Sequence, residues 1–421
     1  MIRIFASILL SIQLISSAHA ATPPSLAGII ELVKAGDYDG ARAMHDKLPH
    51  TPVDEIFLEA QIFTAKGQLA EAITAYRAIL VARPELISAR LLLADLLFAI
   101  GDWDAARFHF RILRDTADST AEKLRYSRVL AEISRRTPSG YTTSFTLTPS
   151  TNINRGASSS DSGFILPFGA DTVEQSGIGA QIGASAFLRV PQDSGGVLVF
   201  TASAVFTGYN NALFNTLSPA LSAQYEKTEG RLSFTLGARV AKSFRNRDSD
   251  YVTFSLSHGG RYALDGRDML TWSLAARSVQ YDPSSALDGP EYSASLGLRR
   301  QINPVLAVDG AVKLSLGLPE AEHYQFRGIA VSGGVTRAWK GGWTTYTGID
   351  LGQRIYDGIF PAPAVARRDE FIGLRANILN STITWQGFAP RVNCLFLVNK
   401  SNVPLYDYNT TECGLQLTRE Y

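Results

Sequence analysis

Few side chains in this 421-residue chain are placed for a reaction, and their spacing says more than their number. The two cysteines, Cys394 and Cys413, are equidistant from Val403-Pro404, the predicted tip of the last hairpin. In that register they face one another across two antiparallel strands, within disulfide reach. Two free thiols on the outer face are the open alternative. A bridge there would be structural, since nothing beside it suggests redox catalysis. Six histidines are spread thinly, and only His258 and His323 fall in the second part of the chain. His258 shares strand parity with Val252, Phe254 and Leu256, and no adjacent Ser of that parity offers a nucleophile–base pair. There is no phosphate-cradling Gly loop, no paired-Cys metal spacing and no helical His-Glu-x-x-His. The reading is of a non-enzyme, with no catalytic residue, metal ligand set or cofactor.

The elements that carry these residues are short alternating segments running from Gly140 to Tyr421. Leu306, Val308, Val312, Leu314 and Leu316 alternate with Ala307, Asp309, Ala311, Lys313 and Ser315. A strand puts successive side chains on opposite faces, so one face suits lipid and the other water. Leu232, Phe234, Leu236 and Val240 repeat the pattern, as do Leu270, Trp272 and Leu274. About 14 such strands are predicted, an even number as single-chain outer-membrane barrels require. Among them are strands over 172–190, 342–356, 381–399 and 406–421. The segments 152–171, 281–290 and 357–366 read as longer loops, and Gln192–Gly196, Glu229-Gly230 and Lys340–Gly342 as tight turns. Trp272, Trp339, Trp343 and Trp385 sit near strand ends with Tyr209, Tyr281 and Tyr356, where interfacial girdles form. A soluble β-sandwich is the competing fold, but it does not account for an uninterrupted even series.

Residues 22–137 change period. Ala60, Gly67, Ala72 and Tyr76 recur 34 positions later as Ala94, Gly101, Ala106 and Phe110. That is the tetratricopeptide period, with small residues where the two helices of a repeat cross. Gly36-Asp37-Tyr38, Gly67-Gln68-Leu69 and Gly101-Asp102-Trp103 read as three inter-helix turns. A last helix near Thr120–Arg135 caps the array before Pro138-Ser139-Gly140. By repeat position Phe57, Gln61, Leu91, Asp95 and Phe98 should face a concave client-binding groove; packing between repeats is the other reading of Leu91 and Phe98. The first 20 residues have the Arg3, Ile4–Ile15 and Ala18-His19-Ala20 pattern of a secretion signal. The expected domains are a signal peptide over 1–20, a tetratricopeptide α-solenoid over 21–137 and a transmembrane β-barrel over 138–421, an α + β multidomain chain.

Net charge is +1, which argues against a nucleic-acid partner. Arg231, Arg239, Arg277, Asp309, Lys313 and Arg391 put both signs on the predicted inner wall, so no single-sign field selects a solute.

Three segments carry a family resemblance. Thr148-Pro149-Ser150-Thr151-Asn152-Ile153-Asn154 resembles the Asn-Ile-Asn element that opens the barrel of surface lipoprotein assembly modifiers. Trp385-Gln386-Gly387-Phe388-Ala389-Pro390-Arg391-Val392 resembles their penultimate-strand motif, with Trp385, Gly387, Phe388 and Pro390 at the matching positions. Ser401-Asn402-Val403, Tyr406-Asp407-Tyr408 and the terminal Tyr421 resemble their closing hairpin. The chain departs from the family pattern at Ser150-Thr151 and at Tyr408-Asn409-Thr410. The resemblance implies an outer-membrane translocon that exports or displays client proteins, surface lipoproteins or soluble relatives, with its N-terminal domain in the periplasm. Partners would then be the secreted client or lipoprotein, outer-membrane lipid and the barrel assembly machinery. Two other readings stay open: an exopolysaccharide exporter, which also joins tetratricopeptide repeats to a barrel, and a surface host-interaction barrel acting through loops 152–171 and 357–366.

Overall fold

A computed structural model of the chain describes residues 25–117, 119–158, 172–282, 284–380, 382–383 and 389–418. The signal-peptide segment 1–20 lies outside these, as do Trp385, Gly387, Phe388 and Tyr421. Seven helices come first: α1 (Leu26–Ala35), α2 (Tyr38–His45), α3 (Pro52–Ala65), α4 (Leu69–Ala82), α5 (Ile87–Ala99), α6 (Trp103–Thr116) and α7 (Thr120–Arg136). Their ends follow from local chemistry. Gly36, Gly67 and Gly101 all take positive φ, near +80°, +73° and +80°. In each turn the next amide reaches back five residues, Asp37 to Leu32, Gln68 to Phe63 and Asp102 to Leu97. These are glycine-closed helix ends, where a residue with a Cβ is strained. Thr51 and Asp54 form a reciprocal capping box ahead of α3, with Pro52 in its first turn.

The repeat positions are core positions. Ala60, Ala72, Ala94, Ala106, Tyr76 and Phe110 are all essentially fully buried. The chain divides into two compact units at Ala75 and Tyr76, inside α4. In the first unit Ile29, Val33, Ala41, Leu58 and Ile62 form a core flanked by Leu32, Tyr38, Met44 and Leu48. Arg42 ties α2 to α3 by a bidentate pair on Glu59, at 2.6 and 2.9 Å. The second unit holds the rest of α4, helices α5 to α7 and every strand.

Fourteen strands follow: β1 (Ser139–Ser150), β2 (Gly177–Pro191), β3 (Val197–Gly208), β4 (Thr216–Glu229), β5 (Leu232–Arg245), β6 (Asp248–Ala263), β7 (Asp268–Tyr281), β8 (Gly289–Asn303), β9 (Leu306–Gly317), β10 (Phe326–Ala338), β11 (Trp343–Phe360), β12 (Val365–Asn380), β13 (Ala389–Ser401) and β14 (Tyr408–Thr418). Each pairs antiparallel with its sequence neighbour, and β1 meets β14 to close the barrel. Closure leaves no sheet edge, the condition for strands to cross a bilayer with their backbone groups satisfied. The predicted parity holds: Leu236, Phe254, Leu256, Leu274, Leu296, Val312, Leu314 and Ile329 are outward and exposed.

Several predicted strands have different bounds. The strand expected over 172–190 starts at Gly177 and that expected over 406–421 at Tyr408; the one expected over 381–399 is described from Ala389, and 381, 384–388 and 419–421 lie outside the described residues. In the other direction, β11 runs to Phe360 instead of ending at 356. A register irregularity between Ile355 and Ile359 restores pairing, with Ile359 opposite Ala366 and Phe360 opposite Val365. A bulge of this kind absorbs extra residues without ending the ladder. The loop expected over 357–366 therefore shrinks to 361–364.

Candidate functional site

The seam where β1 meets β14 is held by Asn152, which follows β1 and is fully buried. Its Oδ1 accepts from the Gly156 amide at 2.9 Å. Its Nδ2 donates to the Gly156 carbonyl at 2.9 Å and, across the seam, to the Asn409 carbonyl at 3.0 Å. Around it the Thr151 amide donates to the Thr411 carbonyl at 3.0 Å, and the Thr411 amide to Thr151 Oγ1 at 2.9 Å. The Ser158 amide bonds the Asp407 carbonyl at 3.0 Å, and Ser158 Oγ accepts from the Asn409 amide at 3.0 Å. Asn154 serves the loop instead: its Nδ2 donates to the Val173 carbonyl and its Oδ1 accepts from the Gln175 amide. All twelve residues of β1 pair with β2, and its described pairs with β14 lie between Phe145 and Ser150. The Asn-Ile-Asn element is thus a clamp at one end of the seam.

One strand further on, Cys394 and Cys413 stand opposite each other with 4.1 Å between Cα atoms, and are disulfide-bonded. They share the outward parity of Val392, Phe396 and Leu415, so the bond staples β13 to β14 on the lipid side. Pro390, opposite Leu417, lies near the start of the same pairing.

The inner wall is built from small and polar side chains. Ser273 and Ser295 share a hydrogen bond at 2.7 Å, as do Thr142 and Ser185. Arg277 pairs with Glu291 at 2.6 Å, Arg299 with Asp309 at 3.8 Å, and Arg375 with Asp350. Arg231 stands in the β4–β5 turn, where it donates to the Leu264 carbonyl, rather than on the wall. Predicted outward, His258 accepts a hydrogen bond from Trp272 Nε1 at 3.1 Å. With the Phe234 and Tyr225 rings it forms part of a run of aromatic rings on that face.

Helices of the second unit dock on one rim of this wall. The Gly341 amide in the β10–β11 turn donates to the Val81 carbonyl at 2.6 Å. Lys123 of α7 donates to the Asp265 carbonyl at 3.2 Å, and Arg189 of β2 to the Thr137 carbonyl at 2.9 Å. At this rim Arg90 of α5 and His109 of α6 are both buried, with Arg90 Nη1 and His109 Nδ1 3.5 Å apart. Burial lowers the Arg90 guanidinium to about 10, still charged at neutral pH. Burial, with Arg90 and Arg77 nearby, pushes the His109 imidazole down to about 3, so it stays neutral.

The five groove residues do not stand in one compact unit. Phe57 and Gln61 are half-buried on α3 in the first; Leu91, Asp95 and Phe98 follow on α5 in the second. Phe98 packs edge-on against Trp103 at 5.3 Å under the Arg136 guanidinium, so packing accounts for it. Asp95 keeps its surface exposure, but partial desolvation by its neighbours raises its carboxyl pKa against the opposing pull of Arg125.

Three clusters escaped the sequence reading. Arg90 and His109 are one. His45, Asp46 and His50 are the described set whose ligand atoms lie within 4.8 Å, on a spacing that matches no metal motif. Arg367 and Asp369 form a buried ion pair at 2.5 Å, with Arg367 3.2 Å from the Tyr406 ring centroid. Only the last left a trace, as opposite charges at i and i+2 on an inward strand face.

A closed meander of fourteen strands, apolar outside and polar within, joined to tetratricopeptide helices, defines a multidomain outer-membrane β-barrel. Residues 63–132 match a tetratricopeptide repeat, and residues 142–421 match the surface lipoprotein assembly modifier family. The chain belongs to that family, and its role is that of an outer-membrane barrel in surface lipoprotein assembly. No curated protein matches it. Among solved structures it is similar to the outer membrane channel DcaP of Acinetobacter baumannii, at 10% identity and TM-score 0.37, over 67% of this chain and 98% of that one. A loop-deleted OmpT, an outer membrane protein of Vibrio cholerae, is similar at 9% and 0.38, over 66% and 99%. A bacterial polysaccharide outer membrane secretin is similar at 11% and 0.35, over 65% and 97%. At these TM-scores the likenesses carry no argument.

Proposed function

We propose that the chain is an outer-membrane translocon that exports or displays client proteins, surface lipoproteins or soluble relatives, with no chemical step of its own. The observation that carries the reading is the docking of tetratricopeptide helices on the rim of a closed barrel with a small, polar inner wall. The helices face the periplasm and gather an exposed client segment, and local concentration then favours entry into the barrel. The family's description supports a lipoprotein client. Mixed lumenal ion pairs suit a polypeptide of mixed charge better than one solute sign. The seam between β1 and β14 is the place for sideways opening, because it is where the two ends of the barrel meet and Asn152 is its clamp.

The test deletes residues 25–75, the first compact unit, and leaves the second intact. Expected are a barrel that still shifts on heating in detergent gels and a client that no longer reaches the surface of intact cells. Undiminished client display would defeat the proposal, and protease cleavage of the helices from outside intact cells would reverse the orientation.

A further inference from the structure

The rim where helices meet the barrel encloses a cavity of about 450 Å³, within the roughly 300–1,000 Å³ range of small-molecule sites. Its wall is mostly apolar: Val81, Phe108, Ile112, Val305, Trp339 and Trp343. Three guanidiniums, those of Arg77, Arg90 and Arg299, also line it, together with His109. Asp115, a lining carboxylate, is held at 2.8 Å by Arg114, and Arg299 has Asp309 at 3.8 Å. Arg90 has no such relief. It is over nine-tenths buried, and no carboxylate stands within ion-pair distance of it among the described residues. Of its five N–H donors, one reaches the Pro84 carbonyl at 2.9 Å and one the ring of His109 at 3.5 Å. Its Nε has no partner. His109 cannot supply the missing negative charge, since an imidazole is either neutral or cationic.

A buried cation without a counter-ion is costly, and native proteins keep such charges paired. An apolar chamber with one unmatched guanidinium in its wall is complementary to an apolar chain that ends in an anion. We propose that this cavity binds an anionic amphiphile, an acyl chain bearing a carboxylate or phosphate. The head lies against Arg90 and Arg77, and the chain runs along Phe108, Ile112 and the two tryptophans. Free fatty acid and anionic phospholipid share this chemistry. The site is independent of the export reading, because a barrel that moves no client would hold the same ligand.

The test uses the full chain in amphipol, stripped of lipid, titrated calorimetrically with dodecanoate, dodecyl phosphate and 1-dodecanol. A charge-assisted contact predicts that both anions bind about tenfold tighter than the alcohol. Arg90→Met keeps volume and removes the charge, and should erase that preference while leaving dodecanol affinity unchanged. The wild-type comparison needs no variant, so a misfolding Arg90→Met does not rescue a failed prediction. Equal affinity for the three chains, or no binding of any, overturns the site. So does an Arg90→Met protein, still heat-modifiable, that keeps its anion preference. Native mass spectrometry of protein extracted in lipid nanodiscs then separates the sources. Retained anionic phospholipid or retained fatty acid each supports the site and names its occupant, and a chain carrying neither counts against it.

Discussion

Replacing Asn152 with alanine removes three side-chain hydrogen bonds of 2.9, 2.9 and 3.0 Å from a fully buried position. It leaves the Gly156 amide, the Gly156 carbonyl and the Asn409 carbonyl without those partners. At about 1 kcal/mol net for each neutral bond, the loss is about 3 kcal/mol. For a barrel of this size that corresponds to a fall of about 5–10 °C in the unfolding midpoint. Heat-modifiability on detergent gels reads the midpoint. Hydrogen exchange of the peptides covering 145–151 and 408–418 reads where the loosening occurs, through the amides of Thr151 and Thr411. Asn154→Ala is the comparator, because its bonds to Val173 and Gln175 stay within the first loop. It should leave exchange in β14 unchanged. An Asn152→Ala barrel that melts within about 1 °C of wild type with unaltered exchange at Thr411 would refute the clamp.

Two further outcomes follow from named contacts. Breaking the Cys394–Cys413 bond by the double alanine variant should cost about 3 kcal/mol, since the bond closes a loop of sequence separation 19; denaturant midpoints with and without reductant check it, and wild type insensitive to reductant despite complete thiol release would contradict it. His109 is held neutral down to about 3, below the ordinary value of 6.5, so the unfolded chain takes the proton first as pH falls. Stability from this group is therefore complete above about pH 6.5 and is lost progressively towards pH 3, by about 3 kcal/mol at pH 4.5. Helical circular dichroism on melting at pH 7 and pH 4.5 measures the loss, and His109→Leu should flatten the dependence.

The barrel was legible because its signal is local. Strand alternation has period two, so Leu306 to Leu316 could be assigned to faces before any pairing was known, and the structure keeps those faces. The repeat was legible for the same reason: Ala60 and Ala94, Gly67 and Gly101 are set by helix crossing and helix termination within one repeat. The groove was less so. Exposure of Phe98 depends on Trp103 and Arg136, which lie on two other helices. Loop 357–366 was misjudged because Ala362-Pro363 reads as loop chemistry, while the register irregularity that extends β11 is a property of the pair.

By itself the sequence determined the strand parity, the helix ends and the opposition of Cys394 to Cys413, since each depends on neighbours a few residues away or on symmetry about one turn. Only the tertiary structure decided that Asn152 would reach Asn409, 257 residues on, and that Arg90 would be buried without a carboxylate beside a cavity. Those outcomes require chain closure and docking, which bring together groups that no local pattern relates.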